Sequence, residues 1–283
     1  MKSTKNKLDI KKYRIISPPK GLVKIDFKEF WEYRDLLLIL IWRNISIRYK
    51  QTAVGVAWAL FQPVVTMTIF TVFFGRLARI PSDNIPYPVF VFTGLLFWNY
   101  FSSALTSASD SLIEDESIIK KVYFPRIIVP ISTAITPIID FFLSFLVLLV
   151  LMVIFQFTPN FLGLLLVPLL IIIATITSSG LGLFLAALNA KYRDVRYVLG
   201  FFIQIMLFVT PIIYPASLIP AQYKWIIFLN PMSGIITLAR DVLLNGKPVD
   251  WGVLMMSFVL SLLFMLIGLS YFRKTERFIA DVL

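Results

Sequence analysis

Residues 109–130 read SDSLIEDESIIKKVYFPRIIVP, and four of the chain's 16 acidic side chains, Asp110, Glu114, Asp115 and Glu116, crowd into the start of it. Apolar runs from Pro88 to Ala108 and from Ile127 to Phe155 flank the stretch, each long enough to cross a bilayer. The charges therefore lie in a surface loop between two spans. Within the loop, Ser111 and Glu114 have the spacing of a capping box, and Glu114, Asp115 and Glu116 fall in a first helical turn. Lys120 and Lys121 fall in the last turn and Pro125 stops the helix, so a short helix on the cytoplasmic surface is predicted. Taken locally, the same charges also suit a solvated connector that merely complements its own dipole.

Composition fixes the class. The chain has 283 residues, 58% of them hydrophobic, and a mean hydropathy of +0.83, more apolar surface than a soluble domain can bury. Its first 25 residues are polar and lysine-rich with no central apolar stretch, so no cleavable signal peptide is read there and the N-terminus is expected to stay in the cytoplasm. Cysteine and histidine are both absent, which removes disulfides, thiolate chemistry, imidazole acid/base catalysis and the commonest zinc ligands. None of the 12 glycines begins a GxxxxGK[ST] run, so ATP hydrolysis by a P-loop is excluded; no metal site is read either, since Glu114-Asp115-Glu116 is a run at a helix start.

The organisation expected is all-α: a basic tail over residues 1–27, then one membrane domain over 28–283. Between Lys28 and Lys50 the charged residues Lys28, Glu29, Glu32, Asp35, Arg43 and Lys50 share one helical sector, with Phe30, Leu37, Ile41 and Ile45 opposite. An amphipathic helix in the membrane interface follows, since the longest uncharged run, Leu36 to Trp42, is too short to span. Six spans are predicted at about residues 53–74, 88–108, 127–155, 161–188, 197–213 and 252–272. Pro130 and Pro137 should kink the third.

Trp225 to Leu244 has the length of a seventh span, but Asn230-Pro231, Gly234 and Arg240-Asp241 interrupt it. Charge placement decides against a crossing. With six spans, 13 Lys/Arg precede residue 51 and three each fall in 120–126, 191–196 and 273–277 on the inner side, against Arg76, Arg79, Lys224, Arg240 and Lys247 outside. Residues 214–250 are thus expected to form two short helices that dip into the outer leaflet and return, with both termini cytoplasmic. The +11 charge belongs to this asymmetry and not to nucleic-acid binding. Asp140 is the one acid expected deep in a span, where it serves either a hydrogen bond to a facing helix or a proton relay.

Four segments together resemble the permease subunits of polysaccharide-exporting ABC transporters, those for O-antigen, teichoic acid and capsule. Arg48-Tyr49-Lys50-Gln51-Thr52 followed by Gly55, Trp58, Ala59 and Gln62-Pro63 is similar to the family's approach to its first span. Lys120 through Arg126 resembles its central loop, and Tyr192-Arg193-Asp194-Val195 leading to Thr210 through Pro215 its fifth span. Asn230-Pro231 with Arg240 and Gly246 resembles its re-entrant segment. The resemblance implies a homodimer in a bacterial cytoplasmic membrane, with two copies of a separate ATPase that carry the ATP and Mg, this chain binding no cofactor. The substrate implied is a glycan on a polyprenyl diphosphate.

On that resemblance, the loop helix with Glu114, Asp115, Glu116, Lys120 and Lys121 would couple to the ATPase. Arg43, Arg48 and Lys50 would either attract the diphosphate or anchor the interface helix. Trp58, Phe61, Phe97, Trp98, Tyr100 and Phe101 are candidates for a glycan channel lining, and Tyr214, Tyr223, Trp225, Asn230 and Arg240 for an outer gate. An ion-gradient carrier working through Asp140 and a membrane glycosyltransferase are the alternative functions.

Overall fold

The computed structural model describes residues 27–50, 55–192 and 194–282, with side chains described over 30–50, 60–192 and 194–276. The basic tail up to residue 26, Gln51-Thr52 and Arg193 lie outside the described residues, as does the side chain of Trp58.

The chain is helical throughout these residues. Helices α1 (Phe27–Glu32) and α2 (Arg34–Lys50) precede α3 (Gly55–Phe70), which continues as a π-helical turn over Thr71–Leu77. Then come α4 (Tyr87–Glu114), α5 (Glu116–Lys121), α6 (Ile128–Ile135), α7 (Ile138–Ile154), α8 (Phe161–Lys191) and α9 (Val195–Val209). After two short 3₁₀ turns, α10 (Lys224–Phe228) and α11 (Pro231–Leu238) lead through a second π-helical turn, Ala239–Leu244, into α12 (Trp251–Val282).

Among the described residues, five helical stretches are long and apolar enough to cross a membrane: 60–77, 87–114, 128–154, 161–191 and 251–276. The fifth expected span is α9, shorter at 15 residues. The ambiguous segment is a bent pair whose arms, 221–228 and 231–244, turn by 110°.

Contacts at the two ends show that this pair does not add a crossing. Arg126, just after α5, donates to the carbonyl of Glu276 near the end of α12 at 2.9 Å, and Arg43 of α2 reaches Asp115 at 2.6 Å. The ends of α2, α4 and α12 thus share one basic face. At the far face, the amide of Asn160, which caps α8, donates to Leu243 at 2.9 Å, and Ser217 donates to Asp83 at 2.8 Å. The hairpin of α10 and α11 enters and leaves from that far face.

The third span breaks where proline removes a donor: α6 ends at Ile135 and α7 starts after Pro137. One detail of the loop differs from expectation. Ser111 is not a cap but sits inside α4, its hydroxyl donating to the carbonyl of Ala108 at 2.7 Å, and α4 runs on to Glu114. Of the three acids assigned to a first turn, only Glu116 lies in that of α5; Asp115 sits at the break and its carboxylate is turned to Arg43. A four-residue acidic spacing near a helix end does not distinguish a start from a finish.

The frame is α4, α8 and α12. Between α8 and α12 the backbones touch: a Cβ on Gly268 would overlap the Gly180 carbonyl oxygen, and one on Gly180 would lie 2.5 Å from the amide nitrogen of Met265. One turn along from the Gly180–Met265 contact, the Thr177 and Ser261 hydroxyls meet at 2.7 Å. Substituting Gly268→Ala should destabilise the chain by about 1–3 kcal/mol, whereas Gly200→Ala, where a Cβ meets nothing within 4 Å, should be neutral. Thermal unfolding of the two variants in detergent checks this.

Candidate functional site

Three groups of residues carry charge or polarity into the helical frame, and each is closed by contacts between segments far apart in sequence. The first surrounds the short helix on the basic face. Within α5, Lys120 pairs with Glu116 one turn away, and Ile119 is buried while Lys120, Lys121, Val122 and Tyr123 are exposed, Tyr123 to 76%. An ion pair leads away from the break on each side of α4. Arg43 Nη2 lies 2.6 and 2.8 Å from the two Asp115 oxygens, tying α2 to the loop. Arg196, at the start of α9, lies 3.2 Å from Asp110 and 4.0 Å from Glu114.

Asp110 is 5% exposed, and it also accepts from Asn189 Nδ2 at 3.0 Å. The sequence reading placed Asp110 among solvated loop acids. Its partners are 79 and 86 residues away, and no local pattern announces them.

The second group is at Asp140, in the first turn of α7. It does meet a facing helix, and with charge: Arg48 Nη2 is 2.6 Å from Oδ2, and the Tyr49 hydroxyl donates to Oδ1. Burial pushes the Tyr49 phenol well above its ordinary range, and the bond to the carboxylate adds to the shift. Two of the three basic residues considered for a diphosphate, Arg43 and Arg48, are thus engaged with carboxylates of the chain itself, while Lys50 is exposed.

The third group is in the hairpin on the far face. Asn230 caps α11, accepting from the Met232 amide at 3.1 Å, and its Nδ2 donates to Thr210 at 2.9 Å. Arg240 is 4% exposed and forms no ion pair among the described residues, Asp241 pairing with Lys247 at 2.7 Å. Three carbonyls take the guanidinium instead: Phe90 at 3.1 Å, Pro211 at 2.6 Å and Ile212 at 2.7 Å. Its carbon also lies 3.6 Å over the Phe90 ring, and only a glycine at 94 leaves room beside it. Arg240 therefore locks the hairpin to α4 and to the end of α9. Tyr214 donates to Val209 at 2.7 Å, and Tyr223 and Trp225 are exposed.

The aromatic candidates separate sharply. Phe97, Trp98, Tyr100 and Phe101 are at most 6% exposed, Phe97 packing 5.1 Å from Phe141 and Tyr100 meeting Thr175 at 2.6 Å. In this conformation they belong to the chain's own core and offer no face to a channel. Phe61 is exposed. So are rings the sequence reading did not single out: Tyr197, Phe201, Phe202 and Phe208 on α9, a helix whose only buried residue is Leu199. The outward faces of α8 and α12 are instead mostly aliphatic, as at Leu165, Ile172, Val259 and Leu266. A 3.6-residue aromatic periodicity in α9 was the available signal.

The family described as ABC-2 type transporter matches residues 35–244. An O-antigen export system permease protein RfbA of Klebsiella pneumoniae is 29% identical over 249 residues, covering 88% of this chain and 95% of the relative. An RfbA of Myxococcus xanthus is 27% identical over 257 residues, 90% and 97% of the two chains. A polysialic acid transport protein KpsM of Escherichia coli is 26% identical over 246 residues, 84% and 92% of the two.

Replacing Arg240 with leucine should cost at least about 3 kcal/mol, because each orphaned buried carbonyl costs ~1–3 kcal/mol. Lysine should recover only part of this, since a single ammonium does not bridge the three carbonyls in the plane of a guanidinium. Unfolding midpoints of Arg240→Leu and Arg240→Lys measure both.

Proposed function

Because the chain belongs to the ABC-2 type transporter family, whose match covers residues 35–244, we propose that it is the membrane subunit of an exporter for a lipid-linked polysaccharide of the O-antigen or capsule type. As an ABC-2 permease it is a transport subunit, and the ATPase that drives it is a separate partner. The named relatives, aligned over nearly their whole lengths, export O-antigen or transport polysialic acid. The glycan's carrier in this reading is a polyprenyl diphosphate.

The observation that most supports an ATP-driven reading is the exposed helix α5 with its two ion-pair tethers. A short element presenting Val122, Tyr123, Lys120 and Lys121 to solvent is suited to a cleft on another protein. A push on it is transmitted through Asp115 to Arg43 on α2, and through Asp110 and Glu114 to Arg196 on α9. These links run to the interface helix and to the aromatic helix, away from the packed frame. In this reading the basic face is cytoplasmic, with both termini there, and two ATPase copies dock beneath a homodimer.

The glycan path lies between the two copies, along the exposed faces of α3 and α9. Phe61, Phe201 and Phe208 supply rings on which sugar C–H faces stack weakly and interchangeably, so a moving chain is not trapped at one station. Lys50, exposed at the end of α2, is the basic residue best placed to meet the diphosphate.

An ion-gradient carrier would need Asp140 to gain and lose a proton. In this structure Asp140 is instead taken up by the Arg48 guanidinium at 2.6 Å and by the Tyr49 hydroxyl, contacts that tie α7 to α2.

Co-expression with an ABC-type ATPase of the same organism tests the proposal. The pair should co-purify, and the double variant Glu116→Lys/Tyr123→Ala should keep ATP hydrolysis while glycan export falls at least about tenfold, a difference of ~1.4 kcal/mol in coupling. If that variant exports normally while Asp140→Asn abolishes export, the carrier reading replaces this one.

A further inference from the structure

Beside the Asp140–Arg48 pair lies a cavity of about 150 Å³, walled by α3, α4 and the start of α7. Five uncharged polar side chains line it: Gln62, Asn99, Ser102, Ser103 and Ser144. The rings of Tyr100 and Phe141 form part of its wall. Its depth makes this composition costly. Asn99 lies about 22 Å along α4 from Glu114 and ~18 Å from Tyr87, at 1.5 Å per residue, so the cavity is near the middle of the span. Amides and hydroxyls at such depth need hydrogen-bonding partners that lipid does not supply. Ser102 finds one in the carbonyl of Asn99 at 3.2 Å. Water or a polar guest completes the rest.

The charge balance selects the guest. Arg48 and Asp140 face the cavity as a closed pair, so the site carries no net charge, and an anion would have to strip the guanidinium from its carboxylate. Planar amides, hydroxyls and a carboxylate with lone pairs left at its edge, set against two aromatic rings, suit a neutral polyol: many hydroxyls around an apolar C–H face. The volume matches one pyranose ring and not a chain of them.

We propose that this cavity is a binding site for a single neutral sugar residue of the exported glycan, lined by residues of one copy of the chain. The proposal rests on the glycan-export reading and adds a place where the moving chain is held. A glycan station in each copy gives the exporter a grip that is neither the diphosphate nor the aromatic path.

The chain contains no cysteine, so single cysteines report without background. Asn99→Cys and Ser103→Cys are made in the full chain in lipid nanodiscs, with Ser257→Cys, 1% exposed in α12, as the buried control. Methyl methanethiosulfonate reacts with thiolate, which forms only where water reaches. Residues 99 and 103 should react and 257 should not. Neutral monosaccharides (glucose, galactose, mannose, rhamnose and N-acetylglucosamine) are then added singly. At least one should slow the reaction at both positions, about fivefold at a free concentration ~4 times its Kd. Glycerol, the polyol of a phospholipid headgroup, and inorganic pyrophosphate should not.

Unreactive cysteines at 99 and 103, reaction that no sugar slows, or equal protection by glycerol or pyrophosphate each overturns the proposal. The measurement needs neither ATPase nor transport. Failure here with export intact removes only the sugar station, and sugar protection in a chain that exports nothing removes only the exporter reading.

Discussion

A charged group held at bilayer depth must find in the protein what it has lost in water, and the arrangement of this chain follows from how its arginines meet that requirement. Arg240 meets it with three carbonyls and an aromatic face, Arg48 with Asp140, and Arg43 and Arg196 with carboxylates at the break after α4. Each solution joins segments that no backbone connects locally. The far-face hairpin is attached to α4 through Arg240, and the peripheral helices α2 and α9 are attached to the centre through the others. Neutralising Arg240 or Arg196 takes a partner from buried groups, the carbonyls around the hairpin or Asp110, so these arginines cannot be exchanged singly for apolar residues without cost.

The arginines also divide the molecule by mechanical role. Where α4, α8 and α12 meet, the contacts are close, with glycines, small hydroxyls and the rings of Phe92, Phe97 and Trp98 enclosed. Around α2, α3 and α9 there is little burial: one residue of α9 and one of α2 are buried. Those outer helices are held along one edge by apolar side chains such as Leu40, Met67 and Leu199 and by a few directional polar contacts. The helix that faces solvent on the basic side is wired to the loosely held group.

Hydropathy and proline placement were enough to read the spans, the break in the third and the bent pair before α12, because each depends on run length and on donors that proline lacks. Lysine and arginine placement predicted that α12 ends on the same side as the central loop, and the contact of Arg126 with Glu276 brings the two together. What could not be read was pairing. Asp110 lies in a run of acids and has no neighbour that marks it as buried; the residues that do, Asn189 and Arg196, arrive only when α8 and α9 fold back. The same holds for the rings at 97–101, which sequence shows only as aromatic. Whether a ring faces lipid, a partner or the interior depends on which side of α4 meets α7 and α8. Ser111 was misread for a simpler reason: a hydroxyl near a helix end bonds equally well forward to an amide or back to a carbonyl.

The glycine contact between α8 and α12 has a consequence for how any transport cycle must run. Where main chain rests on main chain, with the Gly180 oxygen lodged where a side chain of residue 268 would be, there is no flexible layer to absorb a sliding step. The two helices can tilt together but not ratchet past one another. Whatever opens and shuts in this protein, that pair is the post on which the door is hung.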